Sequence, residues 1–122
     1  IDAAFALASR LPVNGVNVLG SPFLHTHRLR IIELAARARL PAIYQWPRTA
    51  HEGGLIGYGP SLIAMYQLLA GMVVRVLGDS KPGDLPIAQP TRFELVINLK
   101  VARALGLGVP QSLLMRADEV IG

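Results

Sequence analysis

Short apolar runs alternate with helical patterns along this chain, and no other feature constrains its fold as strongly. Residues 15–19 and 42–44 form apolar runs that predict strands, residues 93–97 alternate and predict another strand, and residues 54–58 are expected to be extended. Apolar runs this short, bounded by turn residues, are typical of buried strands in parallel sheets. Strands that alternate with helices therefore predict an α/β fold on a mainly parallel sheet.

The segments between the strands carry helical spacing or turn residues. Helices are predicted over residues 2–11, 24–39, 62–77, 99–105 and 111–120, and residues 45–52 are predicted to be a polar loop. Ser61 and Asn98 are placed to cap the helices that follow them. Gly78 is expected to supply a left-handed cap after residue 77, and Gly106 is expected to end the next helix.

Residues 62–77 form the most hydrophobic helix of the chain. Pro60 and the glycines before it interrupt the uncharged stretch, and Arg75 ends it, which leaves fewer than the ~20 residues that a membrane span needs. Apolar side chains point in nearly every direction around the helix, and such a helix is normally buried on more than one side. We therefore expect a buried helix and no membrane span.

Composition narrows the function classes. Hydrophobic residues make up 52% of the chain and charged residues 16%, so the chain can bury a core. The lack of cysteine excludes disulfides and thiolate metal sites. The net charge of +4 comes from scattered cations, several of them along the helix at 24–39, without an aromatic stacking pattern. This distribution indicates a solvated basic face, and no nucleic-acid partner is predicted.

No motif for catalysis or metal binding is present. His25, His27 and His51 occur without a zinc-binding pattern, and no serine lies in a G-x-S-x-G elbow. The glycine-rich run at 53–59 lacks the Lys-Ser/Thr of a phosphate-binding loop and is better explained as a close backbone crossing. The sequence thus predicts a protein that is not an enzyme and that needs no metal or cofactor.

Several longer motifs carry a family resemblance. They are Leu19-Gly20-Ser21-Pro22-Phe23, Leu40-Pro41-Ala42-Ile43-Tyr44, Gly53-Gly54-Leu55-Ile56-Gly57-Tyr58-Gly59-Pro60, Lys81-Pro82-Gly83-Asp84-Leu85-Pro86-Ile87 and, after the strand at 93–97, Ala104-Leu105-Gly106-Leu107. With these motifs the chain resembles the ABC transporter substrate-binding proteins. These are two-lobed extracytoplasmic ligand binders related to the type I periplasmic binding proteins.

The resemblance implies a three-layer α/β/α fold of the type I periplasmic binding protein kind, of which this chain would be a C-terminal portion. Residues 1–57 would supply βα units of the second lobe. Residues 58–98 would supply the hinge crossing, a helix of the first lobe and the return strand, and residues 99–122 the C-terminal helices. The helix at 62–77 would then lack most of its cover, and we expect the chain alone to form a homodimer through it.

A binding site is predicted beyond the carboxyl ends of the parallel strands, where open α/β sheets hold their ligands. Three loops are expected to meet there, at residues 20–23, 44–46 and 57–59. They supply a hydroxyl, an amide, aromatic faces and free backbone groups, a mixture that suits a small amphiphilic ligand. The candidate ligand-binding residues are Ser21, Phe23, Tyr44, Trp46, Gly57 and Tyr58, with Tyr58 the foremost. The structural alternatives are that Phe23 and Tyr44 are partly core and that Trp46 covers a hydrophobic edge.

The resemblance also implies a function. It implies capture of a small amino-acid-like, possibly aromatic, solute and its delivery to an ABC permease, by closure of two lobes. It further implies a periplasmic or otherwise extracytoplasmic protein, exported by a signal peptide upstream of Ile1. The alternative is an effector-binding sensor or regulatory domain that uses the same fold.

Overall fold

The computed structural model describes residues 1–122 and contains seven helices and five strands. The helices are α1 (Asp2–Ala8), α2 (Pro22–Thr26), α3 (Arg28–Arg37), α4 (Arg48–His51), α5 (Leu62–Leu77), α6 (Leu99–Leu105) and α7 (Gln111–Leu114). The strands are β1 (Val16–Val18), β2 (Ala42–Tyr44), β3 (Ile56–Pro60), β4 (Phe93–Asn98) and β5 (Glu119–Ile121). One 3₁₀ turn, Pro82–Asp84, lies between α5 and β4.

The five strands form one sheet in the order β1-β2-β3-β4-β5. The first three strands are parallel, β4 runs antiparallel to β3, and β5 runs parallel to β4. Because three of the four pairings are parallel, the predicted α/β class with a mainly parallel sheet is confirmed. The carboxyl ends of β1 and β2 meet at one edge of the sheet, as the sequence predicts.

The strand register assigns side chains to two faces of the sheet, because paired residues on neighbouring strands point the same way. One face, here called the front face, carries the paired set Tyr44, Gly57, Val96 and Glu119. Side chains alternate along a strand, so Tyr58 lies on the opposite face, here called the back face. This assignment decides which residues can share a site.

The core forms where α3 packs on the front face. Ile31 and Ala35 lie four residues apart on one side of α3 and contact Ala42 and Tyr44 of β2. All four are at most 4% exposed. Two residues four apart on one side of the helix thus pack against two residues two apart on one face of the strand. The ring of Tyr44 therefore lies inside the core.

Asn98 connects the end of β4 to two other elements. Its side-chain Oδ1 accepts hydrogen bonds from the backbone N–H groups of Lys100 and Val101, at 3.1 and 3.2 Å, and so caps α6 as predicted. Its Nδ2 donates to the buried carbonyl of Ala50 in α4, at 2.9 Å. Asn98 therefore holds α4 and α6 to the sheet at one point.

The other predicted helix ends have mixed outcomes. The Ser61 hydroxyl accepts a hydrogen bond from the Ala64 N–H, and Gly106 is left-handed at φ 73, so both predictions are confirmed. Gly78 has φ −93 and is not the left-handed residue after α5. Asp79 takes that conformation instead, at φ 68. The Gly78 N–H still donates to the Val74 carbonyl, and the turn is closed one residue later by the Ser80 N–H, which donates to the Arg75 carbonyl.

Three element predictions are wrong. The helix predicted at 24–39 is two helices, α2 and α3, that meet at His27. The polar loop predicted at 45–52 contains α4. The helix predicted at 111–120 ends at Leu114, and β5 follows, because Val120 pairs with Ile97 and adds a strand to the sheet. Residues 99–122 are therefore not all helical.

The helix α5 begins and ends as expected, and none of its residues is buried. Ile63, Val74 and Leu77 are 73%, 68% and 80% exposed. Within these 122 residues α5 therefore lacks most of its cover, as the sequence predicts for this portion of the family's pattern. No helix has the length and apolar content needed to cross a membrane.

The bonds of Asn98 give a testable prediction for stability. Asn98→Ala removes a helix cap and a buried hydrogen bond to Ala50, each worth about 1 kcal/mol, so the free energy of unfolding should fall by about 2 kcal/mol. Urea denaturation measures the change. Asn17→Ala, at an exposed position of β1, is the control and should change stability by less than about 0.5 kcal/mol. Equal stability of the two variants would contradict this role of Asn98.

Candidate functional site

A cleft of about 590 Å³ lies on the front face of the sheet, beside the start of α5. One wall is formed by the end of α2, the start of α3, and the segment from Trp46 through α4. The opposite wall is the first turn of α5, and the floor comes from β4 and β5. The lining residues are His25, Arg28, Trp46, Pro47, Arg48, Thr49, His51, Glu52, Ser61, Leu62, Ile63, Tyr66, Glu94, Val96 and Glu119.

Two glycines of β3 bring the segment at 45–47 onto the front face. A Cβ at Gly59 would lie 1.8 Å from the Gln45 carbonyl oxygen, and one at Gly57 would lie 2.6 Å from the Pro47 Cα. Both distances are far below van der Waals contact, and the opposing atoms are backbone, so no larger residue fits. These glycines thereby allow Trp46 to line the cleft.

The loops after β1 and β2 also touch each other. The Oε1 atom of Gln45 is buried and has no hydrogen-bond partner in the protein. A Cβ at Gly20 would lie 1.4 Å from this atom, so a larger residue there would displace the flexible amide. The contact shows that the loops after β1 and β2 meet at this edge of the sheet.

An ion pair joins two elements of the same wall of the cleft. The Arg28 Nε lies 2.6 Å from Glu52 Oε2 and its Nη2 lies 3.0 Å from Oε1, a two-point contact of a guanidinium with a carboxylate. The hydrogen bond from Arg28, with the positive charges of Arg28, Arg48 and His25, lowers the pKa of Glu52 against a smaller opposing effect of burial. The pair holds α4 against the start of α3.

Charges of both signs surround the rest of the cleft. Arg48 lies 3.5 Å from Glu52 and is largely exposed, and His51 Nε2 lies 3.2 Å from Glu119 Oε2. Glu94 lies on the β4 side, at 27% side-chain exposure. A ligand in the cleft therefore meets cationic groups from α4 and anionic groups from β4 and β5.

Uncharged groups complete the cleft. The rings of Trp46 and His25 pack edge to face with centroids 6.0 Å apart. Tyr66 of α5 is 64% exposed, and Thr49 is 2% exposed although it lines the cleft. Polar and charged residues outnumber the apolar ones on this cleft, and the aromatic surface of Trp46 and Tyr66 lies among them.

Three of the six predicted residues meet beside this cleft. Ser21, Tyr44 and Trp46 line a small cavity of about 20 Å³, and Trp46 lines the main cleft as well. Tyr44 is 4% exposed, and burial raises its pKa to about 12. The structure thus brings these three together and also shows Tyr44 packed in the core.

The other three predicted residues lie elsewhere. Gly57 lies under the segment at 45–47 and contributes space. Phe23 is 59% exposed and packs against His27 with ring centroids 4.7 Å apart. Tyr58 lies on the back face, with its ring centroid 5.9 Å from that of Phe93. Phe23 and Tyr58 do not line the cleft, and their contact with a ligand stays a prediction.

Sequence reasoning missed most of the charged lining. Arg28 and Glu52 are 24 residues apart, and no local spacing connects them. His25 and His51 were not among the predicted site residues, and both line the cleft. One signal was available, since a proline followed by Arg-Thr-Ala-His is compatible with the first turn of a helix. The structure contains no group of three potential metal ligands.

The lowered pKa of Glu52 gives a prediction for pH dependence. A depressed folded-state pKa means that the ion pair stabilises the fold above the ordinary carboxylate pKa of 4.5, and that this stability is lost as the pH falls through the lower folded value. Glu52→Gln should lower the free energy of unfolding at pH 7 by about 2 kcal/mol, and should flatten its decline in acid.

Urea denaturation between pH 7 and pH 3 measures both effects. Glu33→Gln is the matched control, because Glu33 pairs with Arg30 and Arg37 on an exposed helix surface where solvent screens the charges. A Glu52→Gln variant that keeps the pH profile of the unmodified chain would contradict the prediction.

Structural comparison identifies proteins with the same fold. A conserved domain protein from Vibrio cholerae O1 biovar El Tor superposes with a TM-score of 0.85 at 23% identity, over 98% of this chain and 40% of that chain. An ABC domain in complex with L-Trp from Streptococcus pneumonia gives 0.90 at 23% identity, over 99% and 41%. The open, ligand-free structure of CD0873, a substrate-binding protein with adhesive properties from Clostridium difficile, gives 0.62 at 16%, over 98% and 40%.

At these identities the likeness establishes the fold, and the chain spans about two fifths of the length of these proteins. No curated protein sequence matches the chain. Residues 14–121 match the family described as ABC transporter substrate binding protein. Since that match covers nearly the whole chain, including every strand, the protein belongs to the ABC transporter substrate-binding family.

Proposed function

We propose that this chain is part of the extracytoplasmic solute-binding component of an ABC transporter, and that its front-face cleft receives the solute. The observation that carries the proposal is the cleft itself, in which Trp46 and charges of both signs line the edge where parallel strands end. Family membership supports solute binding and argues against an enzyme.

The solute is an amino acid or a similar zwitterion, with an aromatic side chain. Arg48 would face a carboxylate, Glu94 and Glu119 would face an ammonium group, and Trp46 would contact the ring. The charges on the cleft support this assignment, because Arg48 lies on the wall that contains α4, whereas Glu94 and Glu119 lie on the floor. The Streptococcus pneumonia neighbour is in complex with L-Trp, which favours the same solute class.

The predicted residues take different parts in this proposal. Trp46 and Ser21 would contact the solute, Tyr44 would support the loop from the core, and Gly57 would provide the space that the loop needs. Phe23 and Tyr58 would act only where the solute or a second lobe reaches beyond the cleft. Tyr58, on the back face of β3, would then lie near the hinge between the two lobes.

The division into lobes is also part of the proposal. Residues 1–57 would form second-lobe βα units, and residues 58–98 the hinge crossing, the first-lobe helix α5 and the return strand β4. The long antiparallel pairing of β3 with β4 suits two chain passages through one hinge. Lobe closure would bury the solute and present it to the permease of the transporter.

Export to the periplasm or the cell exterior, by a signal peptide upstream of Ile1, follows from the same proposal. The alternative is an effector-binding sensor domain on the same fold, and no contact in the structure favours it. Binding of a solute by the purified protein together with its uptake by cells distinguishes transport from sensing.

The solute assignment is tested with the full-length protein that carries this chain. Calorimetry with L-tryptophan should show binding, and Trp46→Ala should weaken it about tenfold or more, because an aromatic contact is lost. Phe93→Ala removes an exposed aromatic ring on the back face and should leave affinity unchanged. Equal loss of affinity in both variants would contradict a solute site in the cleft.

The 122 residues alone should bind L-tryptophan only in the millimolar range, about −4 kcal/mol. A cleft between lobes makes contacts from two sides, and only one side is largely present here. Submicromolar binding by these residues alone would contradict the two-lobe proposal.

We also propose that the isolated chain forms a homodimer through α5. The exposed apolar residues of this helix, among them Ile63, Val74 and Leu77, form a surface that favours association. Light scattering should give a mass near twice the 13.1 kDa of one chain. Val74→Glu should restore the monomer, whereas Val120→Glu, outside α5, should not. A monomeric unmodified chain would contradict the proposal.

A further inference from the structure

A second cavity, of about 280 Å³, lies at the opposite end of the sheet from the cleft. It opens between α3 and α6, at the edge where β2 and β3 begin and where the antiparallel β4 ends. None of its lining residues lines the cleft. A ligand in this cavity would therefore make no contact with a solute in the cleft.

Small side chains on facing elements create the cavity. Ala35 and Ala36 of α3, Ala42 of β2 and Ala104 of α6 all line it. Buried residues of the core also line it, including Ala35, Ala42 and Leu55 at 4%, 4% and 6% exposure. Part of the space is thus bounded by apolar groups of the core.

Two cations lie among these apolar groups. Arg39 and Lys100 line the cavity, both are exposed, and neither makes an ion pair in the protein. No acidic residue lines the cavity. The cavity therefore combines an apolar interior with an uncompensated positive charge.

The backbone of Arg39 adds a second observation. Arg39 directly follows the C-cap residue of α3 and has φ 53, a left-handed conformation that glycine adopts without steric cost. The chain nevertheless carries arginine at this position. The unfavourable conformation is explained if the guanidinium at the cavity has a use that glycine could not serve.

We propose that this cavity binds a small monocarboxylic acid with a short apolar body. The carboxylate would contact Arg39 and Lys100, and the apolar body would lie against the alanines and Leu55. A cavity of about 150 Å³ holds benzene, so the larger space here suits a chain of roughly eight carbons. Charge complementarity selects the carboxylate over an amine or a neutral alcohol of the same length.

Octanoate is the probe, and octan-1-ol is the matched control with the same body and no charge. Two-dimensional ¹H–¹⁵N spectra of the protein should show saturable shifts at the Gly53 and Lys100 amides, with a dissociation constant of about 1 mM or lower. The indole N–H of Trp46, in the cleft, should not shift. Octan-1-ol should bind roughly tenfold more weakly.

Two variants test the two parts of the site. Arg39→Gly combined with Lys100→Gln removes both cations and also relieves the left-handed arginine, so it should fold normally and bind octanoate roughly tenfold more weakly. Ala36→Leu fills the cavity from an exposed helical position and should abolish binding. Octanoate shifts confined to Trp46, equal affinity for octan-1-ol, or unchanged binding in either variant would overturn the proposal.

Discussion

The close approach of the segment at 45–47 to β3 is the constraint on which the site depends. Carbonyl and Cα atoms of that segment occupy the space where side chains of Gly57 and Gly59 would lie. The contact is therefore one of backbone against backbone. It positions Trp46 at the cleft and places the start of α4 over the sheet, and both depend on the absence of side chains at these two glycines.

Polar contacts then fix α4 in place. Asn98 donates to the Ala50 carbonyl from below, and Arg28 contacts Glu52 from the side. A helix of four residues has little stability of its own. Its position is maintained by these tertiary bonds and by burial of Thr49 and Ala50. The charged wall of the cleft is thus held by partners that come from β4 and α3.

The cleft and the second cavity lie at opposite ends of the sheet, and they differ in chemistry because different residues line them. The cleft contains charges of both signs and an aromatic surface, which suits a zwitterion with a ring. The second cavity has apolar walls and only positive charge, which suits a carboxylate with an apolar body. The fold thereby offers two sites that would select their ligands by different charge patterns.

Local patterns determined the first four strands, several helix ends and the α/β class. The bounds of β2 were predicted correctly, as were the caps Ser61 and Asn98, because an apolar run or a capping side chain acts on its own neighbours. The parallel order of the strands also predicted the edge of the sheet at which the loops after β1 and β2 meet. Because Trp46 lies in the loop after β2, the sequence could place it near a candidate site.

Tertiary structure alone decided α4, β5 and the charged lining of the cleft. The polar sequence of α4 has weak helical preference, and its helix forms because the sheet and Arg28 hold it. The short apolar segment near residue 120 forms a strand only because Val120 pairs with Ile97 of β4. Arg28 and Glu52 meet across 24 residues, a contact that depends on how helices pack and that no local spacing encodes.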